Sequence, residues 1–179
     1  MSTRKDKFTK KDFFYMNLAF NLASERVGLT GENPSVGCII VKNNEILSIG
    51  QTGFNGRPHA EYNAIKSSKK DLKNSTLYTS LEPCTHYGKT PPCSNLIIKS
   101  KIKKVVFSIP DVDPRTRLKS IKIFKLKNIK VKSRIFVKKG TDIYKTYIYN
   151  KTKKLPFVTG KLAVSKDNFI YSKKKIEYY

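Results

Sequence analysis

The chain has 179 residues, enough for one ordinary globular domain and too few for two full ones. Its formal net charge is +24, and the excess is concentrated in residues 96–179, which carry 24 Lys and Arg against 5 Asp and Glu. No apolar run approaches the roughly 18–20 residues that span a bilayer, the start MSTRKDKFTKKDFF is too charged for a secretory signal, and three cysteines, an odd number, argue against a disulfide framework; a cytoplasmic protein with reduced thiols is expected.

FTKKDFFYMNLAFNLASERVG opens with Thr9 and Asp12 three apart, a capping box, and repeats apolar residues at Phe13, Met16, Phe20, Ala23 and Val27, so it predicts a helix with one buried face. SVGCIIVKNNEILSIGQ predicts two strands joined at Asn43-Asn44, because asparagine tolerates the positive φ of a tight hairpin turn. Cys38 in the first strand is expected to be buried and inert. A helix over about 59–70 follows, then the strand STLYTSL, a helix starting near Pro91-Pro92, the strand KKVVFSI, a helix in RLKSIKIFKLKN and the strand IKVKSRI. Helices alternating with strands after one hairpin predict a three-layer α/β/α domain with a mixed sheet.

VKKGTDIYKTYIYNKTKK reads as one basic helix and LPFVTGKLAVS as a further strand, which either pairs with the body or dangles. Basic stretches with interleaved aromatics are what nucleic-acid surfaces use. Here the lysines of KIKKVVF and IKIFKLKNIKVKSRIFVKK alternate with apolar residues, and solvated faces over buried elements are the preferred reading.

Two Pro-marked segments, PHAEYNAI and LEPCTHYGKTPPC, hold both histidines and two of the three cysteines. A catalytic zinc takes three nitrogen or thiolate ligands and keeps one position open, and His59, Cys84 and Cys93 supply that set. Pro58 and the Pro91-Pro92 pair suit helix starts, where free backbone N–H groups and the dipole favour thiolates and a carboxylate. Glu61, two residues after His59, is the candidate proton shuttle, since His-x-Glu followed by Pro-Cys and a second Cys is the signature of zinc deaminases. A structural zinc with His86 as fourth ligand is the competing reading.

NPSVGCIIV, GRPHAEYNAI and SLEPCTHYGKTPPC closely resemble the deaminase domain of the bifunctional riboflavin-biosynthesis proteins, over roughly residues 12–135. Eight residues between the cysteines, where related cytidine, guanine and tRNA-adenosine deaminases have two, carry the distinction. The resemblance implies a cytidine deaminase-like fold and zinc-dependent release of ammonia from 2,5-diamino-6-(5-phosphoribosylamino)pyrimidin-4(3H)-one, giving the uracil. It further implies His59, Cys84 and Cys93 on Zn2+, Glu61 as proton shuttle, and Asn33, His86, Lys89, Thr90 and Asp111 against the substrate. Expected partners are this small molecule, a homo-oligomeric copy and a separate reductase, with no membrane and no nucleic acid.

The chain departs from that pattern in three places. Thr52 replaces a histidine common in the family, and Leu118 and Ser120 replace glycines in the loop DVDPRTRLKS, at a cost if the loop needs positive φ. LPFVTGKLAVSKDNFI resembles the first strand of the family's reductase domain at Lys161 and Asp167 but not at Gly160 and Asn168. The expected organisation is a deaminase unit over 1–145 and, over 146–179, a basic linker with a truncated reductase remnant lacking reductase activity. A nucleic-acid deaminase, or a zinc-binding remnant without turnover, are the alternatives.

Overall fold

In a computed structural model, residues 8–166 and 168 are described. Helix α1 (Lys10–Ser24) is followed by strands β1 (Gly37–Lys42) and β2 (Glu45–Gln51), helix α2 (Ala60–Ser67), β3 (Thr76–Leu81), α3 (Cys93–Lys99), β4 (Lys104–Ile109), α4 (Lys119–Leu126), β5 (Lys130–Ser133), α5 (Val137–Ile143) and α6 (Lys145–Lys153). The strands form one sheet in the order β2-β1-β3-β4-β5. β1 is antiparallel to β2 and β3, whereas β3, β4 and β5 run parallel, so the sheet is mixed as expected. α1 and α5 cover one face and α2, α3 and α4 the other, which makes the three-layer α/β/α domain. None of the described helices is long and apolar enough to cross a membrane.

Local chemistry explains these elements. Thr9 Oγ1 accepts from the Asp12 N–H at 3.1 Å while the Asp12 carboxylate accepts from the Thr9 N–H at 3.0 Å, the reciprocal cap the sequence predicts. Asn43 and Asn44 take φ of 51° and 65°, the turn that matches the twist of the β1–β2 hairpin. Gly50 of β2 lies under α2, and a Cβ there would collide with the Ala60 carbonyl and the Ala64 N–H; that absence lets the helix settle onto the sheet.

Met16, Ala19 and Phe20 of α1 join Ile39, Ile40, Leu77, Val105, Val106, Phe107 and Phe124 in one core, and Ala23 is buried as well. Each fully buried aliphatic or aromatic side chain contributes about 1.5–3 kcal/mol. Two of the apolar positions expected on the buried face of α1 lie elsewhere. Val27 falls beyond the helix and is exposed, and Phe13 is 40% exposed, its ring set edge-on against Phe8 and Phe136. Asp12 and Tyr15 take those places on the face.

The tail corrects two further expectations. The single basic helix is broken at Tyr144, whose ring is buried and whose hydroxyl meets Ser80 Oγ at 2.6 Å, dividing α5 from α6. Residues 155–165 form no strand: they are exposed, and Phe157 rests edge-on against Tyr149 of α6. With no strand paired to it among the described residues, an extended segment gains no ladder hydrogen bonds. Asp167 lies outside the described residues.

Candidate metal centre and cavity

Because β3 and β4 are parallel, the segments leaving their carboxyl ends, 82–84 and 110–115, emerge side by side, the usual place for a site in an open α/β sheet. The N-terminal ends of α2 and α3 meet them there. His59 is the N-cap of α2 and Glu61 lies in its first turn, while Cys93 is the first residue of α3, behind Pro92. The starts predicted at Pro58 and Pro91-Pro92 therefore stand, and each places one donor at a helix end.

His59 Nδ1 lies 3.5 Å from Cys84 Sγ and 3.5 Å from Cys93 Sγ, and all three donor atoms fall within 4.8 Å of one another. With zinc–nitrogen and zinc–sulfur bonds of about 2.0–2.1 and 2.3 Å, a tetrahedral zinc separates such a nitrogen and sulfur by about 3.6 Å, so these donors fit the ion. His86 is not part of this group among the described residues. Its Nδ1 is 3.1 Å from Thr116 Oγ1, and the set of three keeps a coordination position open, which disfavours a closed structural site.

The electrostatics follow from burial and proximity. A hydrogen bond from the Cys93 thiol, opposed by burial and aided by His59, brings the Cys84 thiol down to about 4; the Cys93 N–H also donates to Cys84 Sγ at 3.2 Å. Cys93 is pushed well up by its bond to Cys84 and by burial, and His59 is raised chiefly by Cys84. Glu61 is 4% exposed, and burial, reinforced by the nearby Cys84 thiolate, raises its carboxyl to about 7. Cys38 is fully buried and its thiol is held far above the ordinary range, the inert thiol expected.

A cavity of about 280 Å³ opens over this centre, lined among others by Asn33, Thr52, Glu61, His86, Lys89 and Asp111. Four of the five substrate candidates, Asn33, His86, Lys89 and Asp111, thus share one cavity. Thr90 is not on its wall: its hydroxyl accepts from Arg57 Nη1 at 2.7 Å, on a neighbouring apolar groove. Asn33 Nδ2 donates to the Gly56 carbonyl at 3.3 Å, and Thr52 Oγ1 accepts from the Val36 N–H at 2.9 Å, so Thr52 pins the segment that carries Asn33.

Sequence reasoning assigned no part to three neighbours. Glu82 is buried and accepts from the N–H groups of Asp111, Leu118 and Ser120 and from the Ser120 hydroxyl, which folds the 111–120 loop over the cavity. Asp113 is gripped by Arg115 through Nε and Nη2, and Tyr147 of α6 donates to Asp111 Oδ1 at 2.8 Å. An acid in the otherwise apolar run at the end of β3 was the available signal for Glu82; Tyr147 offered none.

The family described as the cytidine and deoxycytidylate deaminase zinc-binding region matches residues 9–109. The chain belongs to this deaminase family. It is 39% identical over 154 residues to the riboflavin biosynthesis protein RibD of Bacillus amyloliquefaciens, covering 86% of this chain and 42% of that relative. It is likewise 39% identical over 146 residues to the diaminohydroxyphosphoribosylamino-pyrimidine deaminase of Buchnera aphidicola subsp. Schizaphis graminum, covering 82% of this chain and 99% of the relative. The crystal structure of a diaminohydroxyphosphoribosylaminopyrimidine deaminase/5-amino-6-(5-phosphoribosylamino)uracil reductase from Thermotoga maritima superposes with a TM-score of 0.82 at 36% identity, over 87% of this chain and 45% of that one. The chain spans less than half the length of the RibD relative and of the Thermotoga protein. Zinc is the metal of this family, and the His, Cys, Cys donor set fits it.

Proposed function

We propose that the chain catalyses the zinc-dependent hydrolytic deamination of 2,5-diamino-6-(5-phosphoribosylamino)pyrimidin-4(3H)-one to 5-amino-6-(5-phosphoribosylamino)uracil and ammonia, a step of riboflavin biosynthesis. The observation that carries this reading is a buried carboxyl, Glu61, facing the same cavity as His59 and Cys84, which with Cys93 form three donors spaced for a tetrahedral ion, with residues 84–89 of the long loop in the cavity wall. A Buchnera relative named for this deamination, matched over 99% of its length, supports the substrate assignment.

His59, Cys84 and Cys93 hold the metal. When bound there, zinc supplies a Lewis acid that lowers the pKa of a coordinated water to about 7. Glu61, poised near neutrality by burial, takes the two protons of the water in turn, passing the first to the ring nitrogen next to the amino-bearing carbon and the second to the departing amine. Atoms balance: one carbon–oxygen bond forms and one carbon–nitrogen bond breaks; the water oxygen stays on the ring as the new carbonyl, one water proton ends on the ring nitrogen, and the other completes the ammonia that leaves. Asn33 and His86 contact the heterocycle from the wall, Asp111 accepts from its N–H groups, and Lys89 meets the phosphate. A reductase acting on the ribosylamino uracil is the next step this product requires.

The test is a deamination assay of the zinc-loaded protein with the phosphoribosylaminopyrimidine, quantifying ammonia and the uracil together. Equimolar release of both is expected. A zinc-loaded, folded protein that releases neither sinks the reading.

A further inference from the structure

Four carboxylates line the cavity: Glu61, Glu82, Asp111 and Asp113. Glu82 is consumed by its four donors from the 111–120 loop, and Asp113 by the two-pronged grip of Arg115. Glu61 carries protons in the reaction proposed above. Asp111 is left to meet a ligand. It is only 7% exposed and makes no ion pair among the described residues, so its charge rests on hydrogen bonds alone.

Two of those bonds converge on Oδ1, one from the Asp113 N–H at 3.0 Å and one from the Tyr147 hydroxyl at 2.8 Å. The first is local and turns with the loop. The second reaches in from α6, 36 residues along the chain, where Tyr147 is half-buried against the core and also lines the cavity. Burial pushes the Asp111 carboxyl up, and both hydrogen bonds pull it back toward the ionised form. The Tyr147 hydroxyl is itself held far above its ordinary range, chiefly by burial, so it remains a donor throughout the working pH range. A phenylalanine would fill the same space and leave the Asp111 carboxylate held by the local Asp113 N–H alone.

We propose that Tyr147 is a positioning residue for the deamination site: its hydroxyl fixes the Asp111 carboxylate in the orientation that accepts the N–H groups of the aminopyrimidine. The inference rests on the aminopyrimidine reading given above. It also makes α6 part of the working deaminase unit, which then extends to about residue 153 rather than ending near 145.

The test compares the zinc-loaded wild type with Tyr147→Phe, Asp111→Ala and the double variant, measuring kcat, KM, calorimetric affinity for the uracil product and the melting temperature. Tyr147→Phe is expected to raise KM and weaken product binding about fivefold to twentyfold, with kcat within about twofold of wild type and a melting temperature within about 2 °C. On the Asp111→Ala background the same change has no further effect, as two residues acting through one contact require. Wild-type KM and affinity in Tyr147→Phe overturn the proposal. So does a drop in melting temperature of more than about 5 °C in which kcat and KM worsen together, since that assigns the tyrosine to packing. A wild type that neither binds nor converts the pyrimidine overturns the functional reading and this inference with it, an outcome distinct from a wild type that binds as Tyr147→Phe does.

Discussion

Ser120 donates its hydroxyl to Glu82 Oε1 at 2.6 Å, joining the start of α4 to the residue that follows β3 across 38 positions of sequence. The same carboxylate takes the N–H groups of Asp111, Leu118 and Ser120, so one side chain shapes the whole loop that carries Asp111. Burial raises the Glu82 carboxyl, and these donors oppose that shift. Glu82→Ala strips four buried donors of their acceptor and is expected to cost about 3–5 kcal/mol. Chemical denaturation measures it, and a loss below about 1 kcal/mol would show that the loop holds itself without Glu82.

Leu118 sits in that loop at φ 60°, ψ 0°, a left-handed conformation that an L side chain resists. The loop does require positive φ, as feared from the sequence, and Leu118 meets the requirement under strain; its side chain is 41% exposed and gains little by burial. Leu118→Gly exchanges the steric cost, about 1–2 kcal/mol, for a smaller entropic one. A melting temperature higher by about 1–4 °C is expected. A fall on calorimetric scanning would mean that the leucine packs better than its exposure indicates.

Glu61→Gln keeps the shape of the side chain and removes its ability to move a proton. Zinc content, read by elemental analysis, is expected to remain at one equivalent, while kcat drops by about 10²–10⁴-fold. Cys93→Ser behaves in the opposite order, losing metal first. Loss of zinc from Glu61→Gln would make the carboxylate a ligand and overturn its assignment as shuttle.

What the sequence made legible was local. The Asn43-Asn44 turn, the Thr9/Asp12 cap and the prolines before α2 and α3 act within a few residues, and the prolines mark the helix starts where His59, Glu61 and Cys93 stand. Cys84 was readable because its neighbours carry the metal pattern. The hidden parts depend on residues brought together by the sheet: Glu82 finds donors 29 to 38 positions away, and Tyr147 meets Asp111 only because α6 docks beside the end of β4. The apolar run at 155–165 misled because strand propensity is realised only where an edge is free and aligned, a tertiary fact.

Asp12 is both the capping residue of α1 and a buried charge, 1% exposed, accepting from Lys104 at 2.7 Å, Lys132 at 3.0 Å and the Tyr78 hydroxyl at 2.9 Å. Burial alone would raise its carboxyl; the bonds from Lys104, the Thr9 N–H, Lys132 and Tyr78 overcome this and hold it far below the usual carboxylate range. A depressed folded pKa means stability that is complete above the unfolded value of 3.8 and lost as the pH falls below it. Asp12→Asn is expected to cost about 2–4 kcal/mol at pH 7, and the gap to wild type should narrow below about pH 4. Denaturant midpoints at pH 7 and pH 3 measure this, and a gap that widens in acid has the wrong sign for a depressed carboxyl.

Four cations line the cavity, and their partners differ. Arg115 is tied to Asp113, whereas Arg57, Lys89 and Lys151 make no ion pair among the described residues, leaving their charge for an anion. The Lys89 side chain is exposed on the 84–93 loop, so its pull on a phosphate is screened by salt within about 10 Å at 0.1 M ionic strength. Lys89→Ala is expected to raise KM for the phosphorylated pyrimidine about fivefold to tenfold and to leave KM for the dephosphorylated riboside nearly unchanged. Wild-type KM for the phosphorylated compound should climb between 50 mM and 500 mM salt, and the variant should climb less, because part of the screened attraction is already gone. Steady-state kinetics on the two compounds at both salts decide the matter: equal losses on the phosphorylated and dephosphorylated forms would place Lys89 against the sugar or the ring and not the phosphate.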